Sequence, residues 1–300
     1  MNNKLAKGYI FIFIAGLIWG STGTCMKLLS LEGCTDAQVA FHMQFFGLLL
    51  MFPMVLIKCG LKALKIDLKL LGMLAATGFV SETLYDLTFS ASVNRVGVAF
   101  AGVLLYLSPV FVMILSRLLY KEFLTKQKIC ALVMNLAGCF ITVTGCDLSG
   151  FNVSLVGILF GILAALCYGM ITIFDKYTAE KADPFVITFY ILLFGFIFIA
   201  IISRCWSFPA YMFAPKTLAL GLMTGLLAAQ LPYLFFVCGI ACGIEASKAP
   251  IVASVEVVVS ALLGMIIFKE DLGFLNALGI AIVLFSIVIL NINFGKKEVN

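Results

Sequence analysis

The chain of 300 residues is 63% hydrophobic and only 12% charged, with a mean hydropathy of +1.15. Soluble globular domains are close to half apolar and about a quarter charged, so this composition excludes a soluble fold. The net charge of +5, from 20 Lys and Arg against 15 Asp and Glu, is too small to indicate nucleic acid as a partner. The sequence therefore predicts an integral membrane protein whose partner along most of its surface is the lipid bilayer.

Ten apolar segments, each bounded by charged or turn residues, have the length that a bilayer crossing requires. In chain order they are residues 8–30, 37–57, 69–90, 96–119, 128–146, 153–176, 184–203, 216–239, 246–267 and 272–293. These segments predict an all-α integral membrane fold of ten transmembrane helices joined by short links, the longest of about a dozen residues.

The basic residues predict the orientation of these helices. With the N-terminus inside, fifteen Lys and Arg lie on the inner side and four on the outer side, while Lys27 lies near the outer end of the first helix. An even number of spans puts both termini on one side, and the excess of positive charge marks that side as cytoplasmic. We expect a multi-pass protein of the plasma membrane, which in bacteria is the inner membrane.

An internal repeat divides the chain in two. At an offset of 149, six residues of the first segment match six of the sixth: Gly8, Phe11, Ala15, Leu17, Gly20 and Lys27 meet Gly157, Phe160, Ala164, Leu166, Gly169 and Lys176. At an offset of 148, Lys121-Glu122 meets Lys269-Glu270. Residues 1–147 and 153–294 are thus predicted to be two five-helix repeats. An odd number of spans inverts the second copy relative to the first, as is typical of secondary transporters.

Short motifs in these repeats carry a family resemblance. They are Trp19-Gly20-Ser21 followed by Lys27, Ser108-Pro109-Val110 followed by Lys121-Glu122, and Glu256 followed by Lys269-Glu270. In this order they resemble the EamA-type transporters of the drug/metabolite transporter superfamily, over about residues 8–147 and 153–294. The resemblance implies an inverted-repeat fold around a central cavity lined by helices 1, 3, 4, 6, 8 and 9, with helices 5 and 10 peripheral. It also implies export, less often uptake, of amino acids, small metabolites or drugs.

The sequence departs from the family pattern at one position. Val257 follows Glu256, where many second repeats carry Pro. Any kink in the ninth helix must therefore come from another residue, for which Pro250 is the candidate.

Polar and aromatic residues near mid-depth are the candidate site, because ionisable groups inside a membrane are costly and mark a pathway. The set is Glu256, Glu82, Asp86, Gln230, Trp19, Tyr85, Tyr106, Ser108, Tyr168 and Tyr233. Glu256 could load and release a proton or pair with a cationic solute; the alternative is a hydrogen-bonded residue that holds helix 9 against a neighbour. Glu82 and Asp86 share a helix face that suits amine binding or a proton relay, unless Asp86 extends to the interface and Glu82 pairs within the bundle.

Further expectations concern single residues. Glu82 and Gln230 are repeat mates, so we expect them to face a shared water-accessible cavity. His42 is a secondary candidate as a titrating group, with hydrogen-bonded packing as the alternative. Asp175 and Lys176 could form a gate pair near the inner boundary, and the two Lys-Glu pairs are predicted to be interfacial caps. The aromatic residues could stack on a solute or simply pack.

These residues favour transport over other functions. The single histidine and the scattered cysteines indicate no enzyme, no metal site and no cofactor. We expect a secondary active transporter that moves amino acids, amines or drug-like solutes by alternating access, with protons as the coupling ion and export as the direction. The alternatives are a transporter of phosphorylated sugars or nucleotide sugars, which would need Lys or Arg at mid-depth, and a non-transporting receptor or structural protein. The sequence is compatible with both a monomer and a homodimer.

Overall fold

The computed structural model describes residues 3–147 and 154–291, and within these ranges every regular element is helical. We number ten helical segments in chain order: α1 (Asn3–Leu31), α2 (Asp36–Lys58), α3 (Leu68–Thr77, Gly78–Leu84 and Tyr85–Val96), α4 (Val98–Tyr120), α5 (Lys126–Thr144), α6 (Leu155–Thr178), α7 (Pro184–Ile202), α8 (Pro215–Ala241), α9 (Ala249–Phe268) and α10 (Phe274–Asn291). Short 3₁₀ turns at Leu61–Leu64, Cys205–Ser207 and Ala210–Phe213 lie in the two longest links. The prediction of an all-α membrane fold is confirmed.

Nine of the ten segments in the described ranges are long and apolar enough to cross a membrane. The exception is α3, which is continuous from Leu68 to Val96 but carries Glu82 and Asp86 and is less apolar than the others. That α3 also crosses, making ten spans, stays a prediction. Residue 153 and residues 292–294, which belong to the predicted second repeat, lie outside the described residues.

The two halves depart from regular helix at matching positions. A π-helical turn occupies Gly78–Leu84 in α3 and Gly225–Gln230 in α8. The α-helical pattern of α4 is interrupted at Tyr106 and that of α9 at Ser254, which are 148 residues apart. Such shared irregularities at the offset of the sequence repeat are what a two-repeat chain produces.

The Lys-Glu pairs also match, and they end their helices as predicted. Lys121 and Lys269 both adopt a left-handed conformation, with φ of 55° and 56°, at the C-terminal ends of α4 and α9. Each following residue then folds back, so that the Glu122 amide bonds to the Ser116 carbonyl and the Glu270 amide to the Gly264 carbonyl. These caps satisfy carbonyl groups that a helix end leaves unpaired.

The break in α9 does not arise from Pro250, the candidate taken from the sequence. Pro250 lies in the first turn of α9, where a missing amide hydrogen costs no helical hydrogen bond. The break comes at Ser254 instead, whose hydroxyl donates to the Ile251 carbonyl at 2.7 Å and accepts from the Asn135 amide of α5 at 2.5 Å. A polar side chain bonded to its own backbone and to a neighbouring helix stabilises this departure from the helix.

Helices of opposite halves contact one another through paired glycines. Gly47 of α2 meets Gly225 of α8, where a Cβ added to Gly225 would lie 2.6 Å from the Gly47 nitrogen. Gly195 of α7 meets Gly78 of α3 in the same way, at 2.9 Å. Gly47 and Gly195 are 148 residues apart, so the same contact is made twice. Small residues allow close backbone approach, which places the π-helical turns of α3 and α8 against the opposite half.

The link between α8 and α9, residues 242–248, ties the two halves together; we call it the closing link. Glu245 in this link forms ion pairs with Lys248 and with Lys128 of α5, the latter at 3.0 Å. Burial alone would raise the pKa of Glu245, but the hydrogen bonds and charges of Lys248 and Lys128 outweigh it and hold the pKa below its usual value.

Two further side chains, at the C-terminal ends of α4 and α6, hold the closing link. The Glu122 carboxylate, just after α4, accepts from the backbone amides of Ala246 at 2.7 Å and Ser247 at 3.0 Å. Lys176 of α6 donates to the Ile244 carbonyl at 3.1 Å. The closing link is thus fixed to α4, α5 and α6 by charged side chains.

The contact of α5 with α10 can be tested by adding one methyl group. A Cβ at Gly279 would lie 2.6 Å from the Thr142 hydroxyl, so we expect Gly279→Ala to destabilise the fold by about 1–3 kcal/mol through overpacking. Gly72, in α3, has open space around it and is the matched control, since Gly72→Ala should leave stability unchanged or slightly raised. Thermal unfolding in detergent measures both. Equal melting temperatures for the two variants would contradict this packing.

The ion pairs of the closing link predict a pH dependence. Because the pKa of Glu245 is depressed in the folded state, its stabilisation is present above its unfolded value of about 4.3 and is lost as the pH falls through the lower folded value. Glu245→Gln should therefore melt at a lower temperature than the parent at pH 7, with the difference shrinking as the pH approaches 4. Glu180→Gln, on the exposed α6–α7 link, should match the parent throughout. A constant difference at every pH would argue against the ion pairs.

Candidate functional site: a polar cavity between the two halves

A cavity of about 510 Å³ lies between the two halves of the described chain. Its mouth is formed by the start of α4 at Val98, the end of α5 at Thr142 and the α9–α10 link at Asp271 and Leu272. Its deep end reaches Glu82 and Tyr233. The closing link lies at the other end of α9 from the mouth, so the cavity is open toward one face and closed toward the opposite face.

All six helices that the family resemblance implies contribute to the cavity, namely α1, α3, α4, α6, α8 and α9. Helices 5 and 10 were expected to be peripheral, but Thr142 and Val143 of α5 and Asn276 of α10 also line it. The reason is that the α5–α10 pair packs beside the mouth, where Asn276 donates to the Thr142 carbonyl at 2.9 Å.

Five tryptophan and tyrosine side chains from both halves line the cavity, namely Trp19, Tyr85, Tyr106, Tyr168 and Tyr233, and Phe89 also lines it. The ring centroids of Trp19 and Tyr233 lie 5.6 Å apart, and those of Trp19 and Tyr168 lie 6.5 Å apart. Tyr85 joins this group through Tyr168, at 5.4 Å. We refer to the five residues as the aromatic group. These ring distances are within the range that aromatic pairs prefer, so Trp19, Tyr85, Tyr168 and Tyr233 form a connected wall. Tyr106 lines the same cavity.

The position of Trp19 follows from a break in α1. The α-helical pattern is interrupted at Gly20 and Ser21, where the Ser21 hydroxyl donates a hydrogen bond to the Ile18 carbonyl at 2.7 Å. A side chain at Gly20 would lie 2.8 Å from the Glu256 carbonyl oxygen, so only glycine allows α1 to approach α9 this closely. The Trp-Gly-Ser motif thus brings the Trp19 ring beside the start of the second half of α9.

Glu256 follows the break of α9 directly and is half-buried in the cavity wall. The Tyr168 hydroxyl donates to its carboxylate at 3.2 Å. The break at Ser254 ends one helical piece and begins the next, so Glu256 lies in the first turn of the second piece, where a carboxylate is favoured by the helix dipole. The cavity, the tyrosine and the helix terminus together form a polar setting for this carboxylate.

Glu82 lies in the π-helical turn of α3 and is 5% exposed. The side-chain amide of Gln44, in α2, donates to one of its oxygens, while the other oxygen makes no hydrogen bond. Asp86, one turn along α3, also lines the cavity and is half-buried. Both carboxylates of the predicted helix face therefore line the same cavity.

A smaller void of about 20 Å³ extends beneath the cavity toward the closing link. Ser108 lines this void and not the main cavity, together with Asn135 and Ser254. Asn135 donates to Ser254 and to Ser286 of α10 at 3.2 Å. The sequence analysis did not single out Asn135, although an Asn in the middle of an apolar span was the signal that could have found it.

Two candidate residues lie away from the cavity. Gln230 is fully buried and its amide points at the sulfur of Met54, 2.8 Å away, because the π-helical turn of α8 packs against α2. It does not line the cavity with Glu82, so the expected shared cavity holds for only one of the repeat mates. His42 is 3% exposed, with Nε2 lying 3.3 Å from the Met212 carbonyl and the ring packed on Phe46.

The expected gate pair of Asp175 and Lys176 is not formed. Lys176 is directed to the Ile244 carbonyl of the closing link, as described above. Asp175 is completely buried in α6, and neither of its carboxylate oxygens makes a hydrogen bond. Adjacent residues on a helix point in directions about 100° apart, so the two side chains reach different surroundings.

The charges around the cavity are of one sign. Its lining includes the carboxylates of Glu82, Asp86, Glu256, Glu270 and Asp271, and no Lys, Arg or His among the residues that the structure describes. Lys27 lies outside this lining, 3.4 Å from Glu270 and over the ring of Phe268. The described lining therefore offers acidic and no basic side chains to a solute that enters the cavity. No group of three or more His, Cys, Asp or Glu in the described ranges is arranged to hold a metal ion.

Comparisons with known proteins agree with this architecture. An uncharacterized transporter of Archaeoglobus fulgidus is 29% identical over 271 residues, which cover 89% of this chain and 91% of that protein. The uncharacterized transporter YwfM of Bacillus subtilis is 24% identical over 291 residues, which cover 96% and 95% of the two chains. A solved crystal structure, 16% identical in sequence, matches 95% of this chain with a TM-score of 0.78, and so shares its fold.

The model of the EamA-like transporter family matches the chain twice, over residues 6–144 and 155–292. The two matches span nearly the whole chain and both halves of the cavity. The resemblance drawn from the motifs is therefore confirmed, and the chain belongs to the EamA-like transporter family.

Proposed function

We propose that this protein is a secondary active transporter that moves small metabolites across the plasma membrane by alternating access, with proton-coupled export as its cycle. The observation that carries the proposal is the cavity, which brings mid-membrane carboxylates from both halves together and is open toward one face only. A passage open to one side and closed by ion pairs on the other is one of the two states that alternating access requires.

In the proposed cycle, residues 1–147 move against residues 153–294, so that the cavity opens to one face of the membrane and then to the other. Opening the inner face would break the contacts of the closing link, such as Glu122 with Ala246 and Lys128 with Glu245. The interruptions at Tyr106 and Ser254 supply positions where α4 and α9 can change direction. With both termini in the cytoplasm, as the positive-inside rule indicates, the mouth faces the outside and this is the outward-open state.

Protons and solute are proposed to compete for Glu256 and Glu82. Bare carboxylates enclosed in a closed cavity are costly, so the site would change sides readily only when a proton or a cationic solute neutralises them. A proton entering from outside would displace the solute there, and the solute would displace the proton inside. This competition gives exchange of one for the other, which is export driven by the proton gradient.

The alternative of phosphorylated-sugar or nucleotide-sugar transport lacks support in the cavity. Phosphate groups are held in proteins by Arg and Lys, through charge-assisted hydrogen bonds. The described lining offers five carboxylates instead. One chain contains a complete cavity, so transport as a monomer and as a homodimer are both compatible with the proposal.

Reconstituted proteoliposomes test this function. Amino acids, amines and drugs are screened with and without an imposed pH gradient. For one proton exchanged per solute, a gradient of one pH unit should support up to about tenfold accumulation. Glu256→Gln should abolish the gradient-driven part because the amide cannot exchange a proton. Glu180→Gln, on the exposed α6–α7 link outside the cavity, is the matched control and should retain it.

Two results would count against the proposal. Accumulation that Glu256→Gln leaves unchanged would remove Glu256 from the coupling step. Failure of every solute class to move, with correctly inserted protein, would contradict transport itself.

A further inference from the structure

The deep part of the cavity combines negative charge with aromatic surface around one residue, Glu256. Trp19, Tyr106 and Tyr168 line both the main cavity and the small void beneath it, and so does Glu256. Tyr168 connects the two features, since its hydroxyl donates to the Glu256 carboxylate and its ring contacts Trp19. An ammonium group beside this carboxylate would lie within reach of the ring faces, which attract cations through their quadrupoles.

Two buried polar groups at the deep end lie close to each other, and neither has a hydrogen-bond partner of standard geometry. They are Oε1 of Glu82 and the hydroxyl of Tyr233, in side chains that are 5% and 4% exposed. Both residues line the cavity. Buried groups without partners are costly, and a solute that donates hydrogen bonds would satisfy an acceptor such as Oε1. A protonated amine carries two or three such donors.

The same lining is unsuited to an anionic group. A carboxylate or phosphate on the solute would lie among Glu82, Asp86 and Glu256, and no Lys, Arg or His of the described chain lines the cavity to compensate it. Repulsion between the solute's negative group and these carboxylates is strong in a poorly hydrated cavity and opposes binding. Asp271 at the mouth adds a further carboxylate that would attract cations, while Glu270 beside it is paired with Lys27 at 3.4 Å.

We infer that the solute is an organic amine with one net positive charge, its ammonium group paired with Glu256 and lying against the rings of Trp19 and Tyr168. This inference rests on the proposed function, because it names the solute class of the same site. A volume of about 510 Å³ accommodates a small or drug-sized amine with an apolar or aromatic body. The acidic lining disfavours zwitterionic amino acids and anions, which bring a further negative charge.

The chain contains a natural reporter for this test. It has two tryptophans, Trp19 in the aromatic group and Trp206 in the α7–α8 link, where it is 72% exposed. Trp206→Phe leaves Trp19 as the sole tryptophan, so that its fluorescence reports on the cavity. The probes are 2-phenylethylammonium, tetramethylammonium, the neutral 2-phenylethanol and zwitterionic phenylalanine, each titrated at pH 7 into the purified full chain.

We expect a saturable fluorescence change with 2-phenylethylammonium at a Kd at least about tenfold lower than with 2-phenylethanol or phenylalanine. The alcohol lacks the charge-assisted contact, and phenylalanine adds a carboxylate that would lie among the acidic side chains of the lining. Glu256→Gln should weaken binding of the cation about tenfold or more, and Glu256→Asp, which keeps the charge, should weaken it less. Glu180→Gln, on the exposed α6–α7 link outside the cavity, is the control and should change it less than about threefold. Tyr168→Phe, which keeps the ring, should bind more tightly than Tyr168→Leu.

Equal binding of the neutral or zwitterionic probe would overturn the inference, as would full affinity in Glu256→Gln or no saturable change with either cation. The proteoliposome screen separates this failure from that of the proposed function. Proton-driven movement of a zwitterion or neutral solute would leave transport standing and remove the amine. Tight amine binding without flux of any solute would support the amine site and contradict transport.

Discussion

Within a bilayer every backbone N–H and C=O group has to find its partner inside the protein, and the rest of this structure depends on how five helices depart from that regular pattern. The α-helical pattern is interrupted in α1, α4 and α9 and widened into π-helical turns in α3 and α8. Such departures are tolerated only where neighbouring groups or a water-filled space replace the lost hydrogen bonds. Here Ser21 and Ser254 bond back to their own helices, and the irregular turns lie along one cavity.

The same constraint explains the location of the charged residues. Glu256 follows a break and Glu82 lies in a π-helical turn, so backbone irregularity and carboxylates occur together. Glycines make this possible, because Gly20 and Gly195 allow neighbouring helices to approach these two segments closely. At the opposite end, the Glu122 carboxylate accepts a hydrogen bond from a backbone amide of the closing link, and Lys128 forms an ion pair with Glu245 of that link. One face of the bundle is thereby open and polar, and the other is held closed by ion pairs.

Much of this architecture could be predicted from the sequence. Apolar segments of sufficient length gave the helices, and the repeated Lys-Glu pairs at an offset of 148 gave the two halves and the caps at Lys121 and Lys269. Depth along each span was sufficient to find Glu82, Glu256 and the aromatic group. These features could be located because length, charge and repetition depend on position along the chain alone.

The direction in which a side chain points from its helix was harder to predict from the sequence. Gln230 has the same depth as Glu82, but its π-helical turn packs on α2, and the direction of its side chain depends on the Gly47–Gly225 contact. His42 is likewise directed to the Met212 carbonyl by packing between distant segments. The expectation that α5 is peripheral overlooked Asn135, whose partners on α9 and α10 are far away in sequence. Depth is a local property, whereas the face that a residue presents is set by tertiary contacts.

The central claim is that the mid-membrane carboxylates face water within a cavity and not a dry helix contact. Carboxyl footprinting tests it directly: the native protein in lipid nanodiscs is treated with a water-soluble carbodiimide and a small amine, and the modified residues are identified by mass spectrometry. The account predicts modification of Asp86 and Glu256, which line the cavity, and protection of Asp175, which is completely buried outside it. Equal protection of all three carboxylates would contradict the account.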